Sequence, residues 1–162
     1  MTKLIVDKNI TKQHEYWMEQ AIREAEVAYE KGEVPIGAVI VHQNMIIGKG
    51  HNLTETLQDP TAHAEMIAIT AASEYLESRR LLDTTLYVTI EPCAMCAGAI
   101  VLARIPALVY GASDPKAGAC DSLYQIVQDS RLNHQVKVVK GILENKSSLI
   151  LSDFFRKLRE TN

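Results

Sequence analysis

Two short fragments carry residues whose types and spacing could do chemistry: His63-Ala64-Glu65 and Pro92-Cys93-Ala94-Met95-Cys96. Each falls where a helix is expected to begin. Cys93 and Cys96 are three residues apart, so on a helix their sulfurs share a face. They also lie in a first turn, where the positive end of the helix dipole lowers thiol pKa and favours the thiolate, the form that binds zinc. His63 and Glu65 are two residues apart, which a regular helix points about 200° from one another. They address one site only if that site caps the helix end, or if the acid reaches it from the flank. Glu65 therefore reads as a neighbour of the metal and not as its fourth ligand. One His and two Cys leave a fourth tetrahedral position for water, the pattern of a catalytic zinc centre. Zinc brings the pKa of its water to roughly 7, and a carboxylate beside it can shuttle the proton. Two rivals stand against this reading. One is a closed structural site with Cys120 or His134 as fourth ligand; the other is a redox Cys-x-x-Cys, which leaves His-x-Glu unexplained.

The elements that must position these fragments can be read from periodicity. Trp17, Ala21, Ala25 and Ala28, with Met18, Ile22 and Tyr29, recur at helical spacing over residues 14–31, and Gly32 is a suitable stop. Residues 36–41 and 45–48 read as two strands joined by His42-Gln43-Asn44. Asp59-Pro60-Thr61 is expected to open a second helix, whose apolar positions Ile67, Ala68, Ala71, Ala72 and Tyr75 run to about Glu77. A strand over 85–90 leads to a third helix over 92–104, and 107–110 and 136–140 are further strands. A short helix is expected over 122–128, with Asp121 as its cap. A last helix over 147–159 should bury Ile150, Leu151, Phe154, Phe155 and Leu158. This order implies an α/β fold: a central mixed sheet of five strands, covered by helices on both faces, with a hairpin at one edge.

Composition bounds the function classes. The 162 residues, 47% apolar and 23% charged, suit one domain over residues 1–162 with an ordinary core, and no repeat or linker interrupts them. Seventeen basic against twenty acidic residues argue against a generic basic nucleic-acid coat, though not against a local patch. Three cysteines, two of them grouped, point to a reducing compartment and not to a disulfide framework; Cys120 is expected to be a free buried thiol. The Leu4-Ile5-Val6 run is cut by Asp7 and is too short for a signal-peptide core. Residues 94–103 fall short of the roughly 20 apolar residues that span a bilayer. The expectation is a soluble, cytoplasmic protein.

His63-Ala64-Glu65 followed by Pro92-Cys93-x-x-Cys96 is the signature of the zinc-dependent nucleobase deaminases. Over nearly its whole length the chain resembles one branch of them, the bacterial tRNA-specific adenosine deaminases. The matching stretches are residues 33–39, 59–65, 85–93, 94–99 and Ser152-Asp153-Phe154-Phe155-Arg156. The resemblance implies a three-layer, cytidine-deaminase-like fold and one Zn2+ per subunit, held by His63, Cys93 and Cys96 with a water. It implies hydrolytic deamination of adenosine to inosine at the wobble position of a tRNA anticodon, with Glu65 carrying the protons. It also implies that Asn52 bonds the target nucleotide and that Val34, Pro35, Ile36 and Ala64 wall the flipped base. A backbone N–H near Pro92 would help orient the attacking water. Asp114, Lys116 and Ala117 would belong to an anticodon-contacting loop, and Phe154, Phe155 and Arg156 to the helix beside the neighbouring bases, where aromatic stacking is worth roughly 1–3 kcal/mol. A homodimer, with the third helix and its neighbours as interface, is expected from the same source. The −3 net charge lies wholly in residues 1–60, while from Asn145 onward four basic residues face two acidic ones. The C-terminal helix is therefore the favoured RNA face. Deamination of a free base or nucleotide, and a non-catalytic zinc-stabilised RNA-binding domain, are the alternative readings.

Overall fold

In the computed structural model, which describes residues 7–162, α1 (Lys8–Glu30) leads into a hairpin of β1 (Gly37–His42) and β2 (Met45–His51). A single turn, α2 (Thr54–Leu57), precedes α3 (Ala64–Leu76). Then follow β3 (Thr84–Ile90), α4 (Ala94–Leu102), β4 (Ala107–Ala112), β5 (Lys137–Lys140) and α5 (Glu144–Glu160). The sheet order is β2-β1-β3-β4-β5. The first three strands pair antiparallel, while β3, β4 and β5 run parallel. The expected five-stranded mixed sheet with an edge hairpin is thus the observed one. The Leu4-Ile5-Val6 run lies outside the described residues.

Strand alternation divides the core into two layers. Ala38, Ile40, Leu86, Val88, Leu108 and Tyr110 face one way, packing with Ala64, Ala68 and Ala72 of α3 and Ala97 and Ile100 of α4. Val39, Val41, Tyr87 and Val109 face the other, against Trp17, Met18, Ala21 and Ile22 of α1. Helices and sheet approach closely through glycine. A Cβ on Gly50 would stand 2.4 Å from the Ala64 carbonyl oxygen, and one on Gly48 2.4 Å from that of Ala68. Both neighbours are backbone and cannot yield.

Several boundaries differ from the sequence reading. α1 begins six residues earlier than His14, because Asp7 caps it by accepting the Asn9 N–H at 3.0 Å and its first turns are exposed, carrying no apolar period. The hairpin turn is only Gln43-Asn44, both left-handed at φ 49° and 58°, as a two-residue type I′ connection requires. α3 opens at Ala64 and not at Asp59. The Asp59 carboxylate accepts the N–H and hydroxyl of Thr61 at 2.8 and 2.7 Å, an Asx turn that competes with helix. Tyr75 of α3 is exposed. Only Ile126–Gln128 form a helical turn near the expected 122–128 helix. The Asp121 and Ser122 N–H groups are drawn to Glu91 instead, and the Asp121 side chain pairs with Lys140 at 2.6 Å, so it caps no helix. In α5 only Ser147 is fully buried. Phe154 is half-buried, whereas Phe155 and Leu158 are exposed, because the helix meets the sheet along a narrow strip. No described helix is long and apolar enough to cross a membrane.

Candidate active site

Two helix N-termini converge beyond the carboxyl ends of β3 and β4, the usual place for a site in a sheet with parallel strands. His63 is the N-cap of α3 and Cys93 the N-cap of α4, both with extended backbone (ψ 153° and 176°) and neither side chain capping its own helix. The extended conformation resolves the two-residue spacing. His63 lies outside the regular helix, so Glu65 in the first turn need not point away from it. Cys96, one turn into α4, is fully buried.

His63 Nδ1 stands 3.6 Å from Cys93 Sγ and 3.6 Å from Cys96 Sγ. All three donor atoms lie within 4.8 Å of one another. Zinc bonds of roughly 2.3 Å to sulfur and 2.0–2.1 Å to nitrogen, at tetrahedral angles, place S and N about 3.6 Å apart. The donor set therefore fits zinc in kind and in spacing, with three protein ligands. Neither candidate fourth ligand joins them. His134 Nε2 meets the Ile105 carbonyl oxygen at 2.7 Å, before the opposite end of β4, and Cys120 is a free buried thiol whose nearest polar partner is the Pro92 carbonyl oxygen at 4.0 Å.

The thiols are unequal. A hydrogen bond from the Cys96 thiol, with His63 behind it, lowers the Cys93 thiol to about 3, while the same bond and burial push Cys96 up. The contact with Cys93 raises the His63 imidazole against the opposing effect of burial. Glu65 is buried, and burial pushes its carboxyl above the ordinary range.

A cavity of about 250 Å³ opens over this cluster. His63, Ala64, Glu65 and Cys93 form its floor, Val34, Ile36 and Asn52 one wall, and Ile90, Asp114 and Ala117 the other. It is smaller than the roughly 300–1,000 Å³ of drug-sized pockets and suits a single base. Among the residues singled out from sequence, Pro35 and Pro92 are buried behind these walls, and Lys116 is exposed beside them. Phe154, Phe155 and Arg156 do not line the cavity. Phe154 packs edge-on against Tyr29 and Phe155, and Arg156 is paired with Asp153 and Glu160.

Sequence reasoning missed Thr54, whose hydroxyl accepts from Asn52 Nδ2 at 3.3 Å, and two buried carboxylates, Glu33 and Glu91. Burial opposes ionisation of both. Backbone N–H groups, joined by the Thr56 and Ser122 side chains, outweigh it and hold both carboxyls below the ordinary range. Each acid stands inside a matching stretch, 33–39 and 85–93, without a role of its own there, because nothing in a lone sequence marks an acid as buried.

A mixed five-stranded sheet between helices, with this donor cluster at the ends of its parallel strands, defines the cytidine-deaminase-like α/β class. A family model described as MafB19-like deaminase matches residues 12–159, and the chain belongs to that family. It is similar to the tRNA-specific adenosine deaminase of Streptococcus pyogenes serotype M18, 54% identical over 90% of this chain and 91% of the relative. The Bacillus subtilis protein of the same name is 53% identical over 91% and 92%. A solved structure from work on A-to-I editing by tRNA:A34 deaminases superposes with a TM-score of 0.81 at 46% identity, covering 84% of this chain and 99% of that one.

Proposed function

We propose that this protein hydrolyses adenosine at the wobble position of a tRNA anticodon to inosine, releasing ammonia. The observation that carries the reading is the His63, Cys93, Cys96 cluster with Glu65 beside it, on the floor of a cavity sized for one base. The relatives' names direct the chemistry to adenosine in tRNA. Zinc would be held by His63, Cys93 and Cys96, and when bound would supply the polarisation that makes water a nucleophile near neutral pH.

The chain's own groups do the rest. Glu65 takes a proton from the attacking water, passes one to the ring and assists departure of the amine as ammonia. The backbone beside Pro92 and Cys93, at the start of α4, orients the attacking oxygen. Val34 and Ile36, with Pro35 packed behind them and Ala64 below, exclude water from one face of the flipped base. Asn52, buried and bonded to Thr54, presents its remaining amide capacity to the nucleotide. Asp114 and Lys116 meet the loop beside the target.

Phe154, Phe155 and Arg156 are proposed to meet the flanking bases. Supporting this, Phe154 is joined through Tyr29 to the end of α1, five residues before Val34 of the cavity wall. Half of the Phe pair remains available for stacking.

A homodimer, one zinc per subunit and a cytoplasmic setting belong to the same proposal. α4 is apolar all round, yet Leu102 is 73% exposed and a Cβ on Gly98 would meet nothing within 4 Å. Such a face suits a second copy of the chain; sedimentation velocity should give twice the monomer mass. The central test compares an anticodon stem-loop carrying adenosine at the wobble position with free adenosine, cytidine and guanine. Inosine in the stem-loop alone is expected. Deamination of a free base or nucleoside alone would overturn the reading.

A further inference from the structure

Burying a carboxylate without a cationic partner costs several kcal/mol unless hydrogen bonds replace its water. Glu33 and Glu91 are each only 1% exposed, and among the described residues neither pairs with a basic side chain within salt-bridge distance. Both spend their oxygens chiefly on backbone N–H groups; Glu91, itself on the cavity lining, bonds the lining residue Asp114, and Glu33 bonds the two residues that follow the lining residue Thr54.

Glu91 is the stronger clamp. Its Oε1 accepts the Asp114 N–H at 3.2 Å and the Ser122 hydroxyl, and its Oε2 accepts the N–H groups of Cys120, Asp121 and Ser122 at 3.2, 3.0 and 3.0 Å. Gly118 closes over the carboxylate so tightly that a Cβ there would lie 2.3 Å from Cδ. The loop over 113–123 has no helix or strand of its own to hold it. Two residues beyond Glu91 is Cys93, and the Ala119 N–H donates to the Pro92 carbonyl oxygen at 2.8 Å. The acid thus fixes the Asp114 wall to the segment that carries a metal donor.

Glu33 does the same opposite. It accepts the Thr56 N–H at 2.6 Å and the Glu55 N–H at 3.3 Å, fastening the Thr54 turn next to Asn52, and it directly precedes the wall residue Val34.

We infer that Glu33 and Glu91 are positioning residues that set the width of the base-binding cavity from its two sides, governing how well the target nucleotide is held rather than the chemical step. The inference rests on the deaminase reading for its kinetic part and on geometry alone for the clamp. The test uses the full-length zinc-loaded protein and its Glu91→Gln and Glu33→Gln variants. Gln keeps the shape but turns an NH2 toward donors that need an acceptor. Ser122→Ala, which removes one donor and leaves the charge bonded, is the milder companion should a Gln variant fold poorly.

Expected for either Gln variant is a KM for the stem-loop raised about tenfold, kcat within about threefold, and unchanged zinc content. Amide hydrogen exchange should quicken in residues 114–122 for Glu91→Gln and in 54–57 for Glu33→Gln, without change elsewhere. Ser122→Ala should show the same split at a few-fold. Unchanged KM, or kcat, zinc content and melting temperature all falling together in every variant, would overturn the inference in favour of a plain fold element. If the parent protein deaminates no adenosine, the deaminase reading fails, and exchange alone decides. Quickening confined to the named loops then sustains the clamp, and undisturbed protection overturns it.

Discussion

α3 and α4 on one face of the sheet and α5 on the other are built to different standards. α3 and α4 are short, Ala-rich and pressed on the sheet, with Ala64, Ala68, Cys96, Ala97 and Ile100 fully buried and glycines of β2 beneath α3. α5 is longer and strongly amphipathic, buries only Ser147, and is tied to α1 by Tyr29 to Asp153 at 2.6 Å and by the exposed Lys146–Glu19 pair at 2.6 Å. Close packing leaves the first pair one permitted position, as two donors on different helices must have if they are to share an ion. The second arrangement holds a helix in place while leaving its outer face free. Close placement is not confined to the donor helices, since α1, on the same face as α5, is pressed on Gly37, where a Cβ would stand 2.0 Å from the Ala21 carbonyl oxygen. Of the four long helices α5 alone is loosely seated.

Perturbations ranked by expected size test this contrast. The largest effect should follow loss of a donor. Cys96→Ala is expected to abolish zinc binding by metal analysis, to remove deamination and to lower the melting temperature, since metal binding is coupled to folding. Glu65→Gln should be nearly as damaging to turnover, with a loss of 10² to 10⁴-fold, while zinc content and melting temperature stay at the parent level. If zinc left with the Glu65 carboxylate, that residue would be a ligand.

Next come the glycines. Gly50→Ala and Gly48→Ala should each destabilise by about 1–3 kcal/mol in denaturant melts, because the new methyl meets helix backbone. Gly50 lies under Ala64, beside His63 and Glu65, so its variant should lose the more activity of the two. Equal losses would mean that the donor end of α3 is no more tightly set than its middle. On the other face, Phe155→Ala should leave stability within about 0.5 kcal/mol while raising the stem-loop KM several-fold.

Tyr29→Phe should be smallest, lowering the melting temperature by no more than about 2 °C. The Tyr29 hydroxyl, with Arg156 and Lys157, holds the Asp153 carboxyl at about 2. A carboxylate lowered in the folded state stabilises it fully above its unfolded value near 3.8, and the benefit fades as the pH falls toward 2. The Tyr29→Phe deficit should accordingly be constant above about pH 4.5 and shrink below it.

How much of this was legible depended on whether the signal was local. The five strands and the four long helices follow from apolar period, and the donor residues from their types and spacing. The start of α3 was not, because Asp59-Pro60-Thr61 satisfies the grammar of a helix cap while its side chain closes an Asx turn. The helix expected over 122–128 failed for a long-range reason: its N–H groups are claimed by Glu91, some thirty residues away. Phe155 and Leu158 sit at helical spacing with the core positions of α5, yet are exposed, since period shows which face is apolar and not how much of it is covered. For the site, the metal donors and several wall residues were readable, and the two acids that fasten the walls, Glu91 on the lining and Glu33 behind it, were not. A buried acid is recognised by the N–H groups that converge on it, and those come from another part of the chain.

The sheet's margins bear on how copies of this chain can meet. β5 is four residues long with exposed Lys137 and Lys140 at its ends, so annealing another strand there would bring like charges together. β2, at the opposite margin, carries exposed Lys49 and has α3 lying over two of its glycines. With strand addition disfavoured at both margins, helix faces are what the fold leaves for the homodimer proposed above. A closed symmetric pairing of helix faces would satisfy itself with two copies and leave no free strand edge to propagate further.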